Sequence, residues 1–186
     1  MHSTCHDTTT KAARRYVSPR SRPLTREEAE IRALAYAIKD ITCDDDLVDA
    51  AAAAMYELVK GENAFLVPAP NHYGETLTMK RLACAIAKLA PNNLLKVADV
   101  LARRYLTDSQ CIRHRERLPP LTPAEHYIYL RPLGPGRDTI LLDGKFRIYF
   151  VDNVITSGTT IQACRNALLG FGTGLVYADA HNDKPN

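Results

Sequence analysis

The chain has no apolar run close to the roughly 20 residues that a membrane-spanning helix needs, so a protein that stays out of the bilayer is expected. Its first stretch, MHSTCHDTTTKAARRYVSPRSRP, contains no apolar segment of about 7 to 15 residues of the kind that makes a secretory signal, and a cytoplasmic location is the expectation. Cysteine is present without a pairing pattern: Cys5, Cys43, Cys84, Cys111 and Cys164 are odd in number, scattered, and lack a C-x-x-C pair. That argues against a disulfide framework and a four-ligand structural zinc site. His2, Cys5 and His6 supply three further donors, but in a terminus whose composition reads as unordered. Two phosphate-binding patterns are missing as well. There is no G-x-x-x-x-G-K-[ST] loop and no G-x-G-x-x-G after the first apolar strand, which disfavours a Walker-type NTPase and a dinucleotide fold. A repeat of about 20 to 50 residues is also absent. The charge excess is small: 24 basic against 21 acidic residues give +3, too little by itself to mark a nucleic-acid binder.

What remains is an ordinary globular composition, 46% hydrophobic and 24% charged over 186 residues, enough for one domain with an N-terminal extension. Basic residues gather in Lys11 to Arg32 and in Arg103 to Arg117; each block is either a solvated face or an anion-binding surface. Residues 1–23 are polar, basic and proline-punctuated, which predicts a poorly ordered arm. From Leu24 the pattern is helical: Thr25 with Glu28 makes a capping box, and Ile31, Leu34, Ala35 and Ile38 follow at helical spacing. A second helix is expected after Asp44 to Asp46, ending near Gly61.

AFLVPAP then reads as a buried strand, NHYGET as a loop, and TLTMKRLACAIAKLAPN as a helix closed by Pro91. The run NNLLKVADVLARRYL fits a strand or a helix, and periodicity leaves both open. HYIYLRPL and FRIYFVD read as strands with a loop, holding a short hairpin, between them. TTIQACRNALLGFG reads as a helix and GLVYADA as a last strand. Alternating strand, loop and helix predicts an α/β fold with a mostly parallel sheet flanked by helices.

Ligands of open α/β sheets collect at the carboxyl ends of strands, and FVDNVITSGTT lies at such an end. A helix starting near Thr160 offers uncapped amides, Ser157, Gly158 and Thr159 let the backbone curl closely, and four hydroxyls surround the turn. A phosphate fits that donor set. Asp152 and Asn153 add an acceptor and an amide suited to vicinal sugar hydroxyls or a hydrated cation. A plain strand-to-helix turn capped by Asp and Thr is the alternative.

At these residues the chain resembles the type I phosphoribosyltransferases. Their signature is an apolar strand, two acids, two apolar residues and a T-[TAS]-G-x-T-type turn, here Val151, Asp152, Asn153, Val154, Ile155, Thr156, Ser157, Gly158, Thr159 and Thr160. The resemblance implies that Thr156, Ser157, Gly158, Thr159 and Thr160 hold the 5'-phosphate of phosphoribosyl pyrophosphate (PRPP). It implies that Asp152 and Asn153 hold the ribose hydroxyls, with Asp152 near a magnesium ion through water or ribose. LVPAPNHYGETLTMKRLACAIAKLA is similar to the family's pyrophosphate loop and helix, which places Ala69, Pro70, Asn71 and His72 in that loop. Lys80 and His72 are further candidates beside it. Leu101, Arg103, Thr107, Gln110 and Arg117 approximate a run found in ComF-type members, which are associated with DNA uptake genes.

Two positions depart from the family pattern. Asn153 stands in place of the second acid, and Thr156 stands where purine-type members carry an aspartate near the base. The turn is closer to the orotate-type pattern, in which a mobile basic loop assists pyrophosphate departure; Arg113, His114 and Arg115 would then supply that loop, Arg113 and Arg115 as catalytic groups. The implied organisation is an arm over 1–23, a helical segment over 24–62 that serves as a hood, and a phosphoribosyltransferase-like core over 63–186. A hood from a partner subunit, and so a homodimer, is the other arrangement. The implied activity is transfer from PRPP, with Mg2+, to an undetermined nitrogenous acceptor. The alternative is a module that binds PRPP or a nucleotide, or serves DNA uptake, without transfer.

Overall fold

The computed structural model describes residues 10–18, 22–108, 110–132 and 145–180. Five strands form one sheet in the order β1-β7-β6-β2-β3, every neighbouring pair parallel. They are β1 (Thr10–Arg15), β2 (Ala64–Pro68), β3 (Leu95–Val97), β6 (Arg147–Ile155) and β7 (Thr173–Asp179). β4 (Leu101–Arg103) and β5 (Ile128–Leu130) pair antiparallel as a separate ribbon. The α/β architecture with a parallel sheet flanked by helices is therefore the one the alternating pattern predicts.

Continuous apolar runs mark strands buried on both faces. Along β6, Tyr149 and Val151 turn toward one core with Leu66, Leu175 and Tyr177, while Ile148 and Phe150 turn toward the other with Val67 and Val176. Helices α1 (Arg26–Ala37), α2 (Asp45–Tyr56) and α3 (Leu77–Lys88) cover the first face. The second is covered by Ile161, Cys164 and Leu168 of the α5 region and by Leu101 of the β4–β5 ribbon. Here α4 is Gln110–Arg115 and α5 is Thr159–Ala167. The capping box of α1 forms as expected, Glu28 N–H donating to Thr25 Oγ1 at 3.2 Å and Thr25 N–H to Glu28 Oε2 at 2.9 Å. Ala51 and Ala52 in the alanine run are buried and bring α2 close to α3.

Three expectations are revised. Residues 10–15 do not belong to an unordered arm: they pair in register with β7 from Thr10↔Gly174 to Arg15↔Asp179. The physical cause is tertiary. The open edge of β7 supplies backbone partners, Val17 is buried beyond the strand, and Lys11 Nζ donates to Glu62 at 2.8 Å and to the Leu58 carbonyl at 2.9 Å. Second, the segment 24–62 is not set apart from the core, because Ala35, Ile38, Ala51 and Met55 share one apolar cluster with Leu66 and Tyr149. Third, the ambiguous run resolves into two three-residue strands, β3 and β4, in different sheets; pieces that short carry no readable period. The loop expected to hold a short hairpin, 134–145, lies outside the described residues but for its last one, and the His2, Cys5 and His6 cluster lies outside them entirely.

Candidate functional site

β6 ends where its two faces divide the Asp152–Asn153 pair. Successive strand residues point to opposite faces, so Asp152 follows Phe150 toward α5 and Asn153 follows Val151 toward α1. Asp152 lines a small, solvent-open hollow together with Val154, Ile155, Thr156, Ser157, Gly158, Thr159, Thr160 and Ile161. The expected acid and the whole hydroxyl-rich turn thus surround a single space. Gly158 takes a left-handed φ of 75° at the N-cap of α5 and brings no side-chain cap to the helix's first amides. Ser157 Oγ and Thr159 Oγ1 lie 2.9 Å apart across the turn. Uncapped amides at the positive end of a helix dipole, with hydroxyls beside them, favour an anion.

Asp152 keeps part of its surface open to the hollow, yet its carboxyl is hemmed in at the strand end. Loss of hydration pushes its pKa above the ordinary carboxylate value; the Lys39 charge and the Asn153 N–H, which donates to Asp152 Oδ1 at 2.8 Å, pull the other way and lose. Asn153 is in a different situation. It is 3% exposed, and its Nδ2 donates to the Ala35 carbonyl of α1 at 2.8 Å. The structure therefore brings Asp152 to the turn and commits the Asn153 amide to holding α1 on the sheet.

Ala69 N–H donates to the Val151 carbonyl at 3.0 Å, which lays the 69–74 loop beside the end of β6. Within the loop Asn71 Oδ1 accepts from the amides of Tyr73 at 2.9 Å and Glu75 at 3.0 Å, and the Asn71 N–H donates to the Glu75 carbonyl at 2.8 Å. Pro70 and Asn71 thus sit in a turn braced from inside. The His72 ring lies tilted against that of Tyr73, centroids 3.9 Å apart, and burial, then Arg103 and Lys39, lower its pKa. Lys80 is paired with Asp99 at 3.3 Å, alongside Arg131 at 2.8 Å, and serves that ion cluster.

The basic block divides in two. Arg103 is largely buried, and its donors end on neutral acceptors: Nε on the Asn71 carbonyl at 3.0 Å, Nη1 on Thr107 Oγ1 at 2.9 Å and Nη2 on His126 Nδ1 at 3.2 Å. No carboxylate faces it among the described residues, and burial lowers its pKa. Charges drawn out of water are normally neutralised, and this part-buried guanidinium beside the 69–74 loop meets only carbonyl, hydroxyl and imidazole partners in its described bonds. Arg113 is instead held within its own segment, donating to the Pro119 carbonyl at 2.8 Å with Asp108 at 3.9 Å, and Arg115 is exposed on α4. No described contact brings either one to the turn or the loop.

Sequence reasoning missed two residues. Lys39, just after α1, is near enough to Asp152 and His72 for its charge to act on both. His126, 3% exposed, touches both Arg103 and Thr159, the latter at 3.2 Å. Neither belongs to a local motif, since each reaches the site from a distant element. No cluster of three or more His, Cys, Asp or Glu side chains exists among the described residues. No protein-family model and no curated protein matches the chain.

Proposed function

We propose that the chain is a magnesium- and PRPP-dependent phosphoribosyltransferase of type I fold, acting on an undetermined nitrogenous acceptor. The observation that carries this reading is the single hollow shared by Asp152 and the whole 156–160 turn, an acid for a sugar and a cradle for its phosphate within one space. The turn amides and hydroxyls would bind the 5'-phosphate, and Asp152 would accept from the ribose hydroxyls. A single carboxylate suits Mg2+, which keeps most of its waters and is held through one or two carboxylates and the substrate's own oxygens; Asp152 is the protein group that would hold it. The ion, when bound, neutralises charge developing on the departing pyrophosphate. Arg103 and Lys39 bring fixed positive charge to the loop where that group would gather, and preorganised charge is the larger part of such catalysis. Acceptor attack at the ribose C1 breaks the bond to pyrophosphate and forms the bond to nitrogen.

A second reading is a sensor of PRPP or a nucleotide that binds without transfer. It is favoured by the commitment of Asn153 to Ala35, which leaves one acid at the ribose. Calorimetry with PRPP and Mg2+ separates these readings from the rest: no heat at millimolar ligand rejects both. Asp152→Ala is expected to abolish binding, and retained affinity would mean that the pocket is elsewhere. Pyrophosphate release with one of a panel of nitrogenous bases then marks the transferase, and tight binding without release marks the sensor. A homodimer supplying the hood is read from sedimentation of the same sample.

A further inference from the structure

We propose that His126 is a positioning residue: held in one tautomer by Arg103, it orients the Thr159 hydroxyl toward the phosphate of the ligand and couples the 156–160 turn to the 69–74 loop. This rests on the phosphate-cradle reading of the turn. The structural basis is one polar chain crossing the site. It begins at the Asn71 carbonyl, which accepts from Arg103 Nε at 3.0 Å, and passes through Arg103 Nη2 to His126 Nδ1 at 3.2 Å. It continues from His126 Nε2 to Thr159 Oγ1 at 3.2 Å and ends at Ser157 Oγ, 2.9 Å further on. Thr107 closes the chain on the loop side, accepting from Arg103 Nη1 at 2.9 Å while its own N–H donates to the His72 carbonyl at 3.2 Å.

The direction of both bonds at the His126 ring follows from Arg103. A guanidinium has only donors, so His126 Nδ1 must accept. A neutral imidazole that accepts at Nδ1 carries its proton on Nε2, and that N–H donates to Thr159 Oγ1. Receiving this bond holds the Thr159 oxygen against the ring on the side of the turn it shares with Ser157 Oγ, where the phosphate oxygens would sit. The charged form of the ring would set two cations against each other. Burial, then Arg103, lower the His126 pKa to about 4 against the weaker pull of Glu125, so the ring is neutral near pH 7. The groups facing the ring are Arg103, Glu125 and the neutral Thr159. Its backbone is fixed too: His126 closes a 3-10 turn anchored by Glu125, which accepts from the N–H and hydroxyl of Thr122, each at 2.7 Å.

Two measurements on the full chain test this. Nitrogen NMR of the histidines at pH 7 should show His126 neutral with the proton on Nε2 and unchanged down to about pH 5; a proton on Nδ1, or a cation at pH 7, overturns the proposal whatever the protein binds. The second is calorimetric titration with ribose 5-phosphate of wild type, His126→Phe, Thr159→Val and the double variant. Each single change should weaken binding roughly 5- to 10-fold, the loss of one hydrogen bond. The double variant should be no weaker than Thr159→Val alone, because His126 acts through that hydroxyl. Multiplied losses, or unchanged affinity in His126→Phe, overturn the proposal while leaving the phosphate cradle standing. Absence of binding by wild type overturns the cradle and this inference together. Should His126→Phe fail to fold, His126→Gln keeps an N–H donor for Thr159 and is expected within about 3-fold of wild type; a loss as large as that of Thr159→Val counts against the relay.

Discussion

Asn153 needs a donor where an aspartate would offer only acceptors, because its side chain faces the Ala35 carbonyl at 2.8 Å in a buried position. Asn153→Asp, which would give the paired acids of the phosphoribosyltransferase pattern, is therefore expected to destabilise the fold by about 1 to 3 kcal/mol through an unpaired buried group, measured by urea unfolding. It should leave PRPP affinity no better. Asp152 shows the opposite economy. Its raised pKa means that the folded state binds the proton more tightly than the unfolded chain does, so this residue adds stability as pH falls through the raised value and costs stability above it. Asp152→Asn should consequently melt higher than wild type at neutral pH, and the difference should shrink on acidification. On the proposed function, PRPP binding by wild type should weaken on the same acid limb, beginning above the usual carboxylate range, because protonation removes the carboxylate that would accept the ribose hydroxyls. A site residue held at a cost to stability is the usual mark of function.

Among the elements, the turn into β7 is the least tolerant. Gly172 has a φ of +105°, and a Cβ there would run into the Phe150 ring and the Ile148 side chain of the neighbouring strand. Gly172→Ala is expected to cost about 2 to 4 kcal/mol, combining the backbone conformation with overpacking, and thermal melts would show it. The site turn uses a left-handed glycine differently: Gly158 at φ 75° starts α5 and gives the helix's first amides no side-chain cap. Most of these elements were legible beforehand, since α1, α3, β2 and β6 carry clear periods and caps. β1 was not, because its residues TKAARR are basic and weakly apolar, and only the open edge of β7 makes them a strand.

Over the whole molecule, Glu62 ties together parts far apart in sequence. It accepts from Lys11 of β1 at 2.8 Å, from the Tyr149 hydroxyl at 2.5 Å and from Arg147 at 3.2 Å. Burial opposes its ionisation, but the bonds from Lys11 and Tyr149 and the nearby charges prevail, and its pKa is lowered. A lowered carboxylate pKa gives stability that is complete above the unfolded value of about 4.3 and is lost as pH falls through the folded one. Glu62→Gln should cost about 1 kcal/mol at neutral pH, the measure of a partly exposed cluster. It should also flatten the acid side of the stability curve, read from denaturant midpoints between pH 7 and 3.

Taken alone, the amino-acid sequence determined the alternation of strands and helices, the turn at Thr156 to Thr160 and the choice of Asp152, because these depend on period, caps and short-range residue types. Tertiary structure decided which groups meet. It sent Asp152 into the hollow and Asn153 to α1, since neighbours on a strand face opposite ways and only packing says what lies on each side. It also brought Arg103 and His126 from separate segments to the turn that holds Thr159. No local pattern encodes those meetings, because the atoms that touch are separated by tens of residues and joined only when the sheet and its flanking layers close.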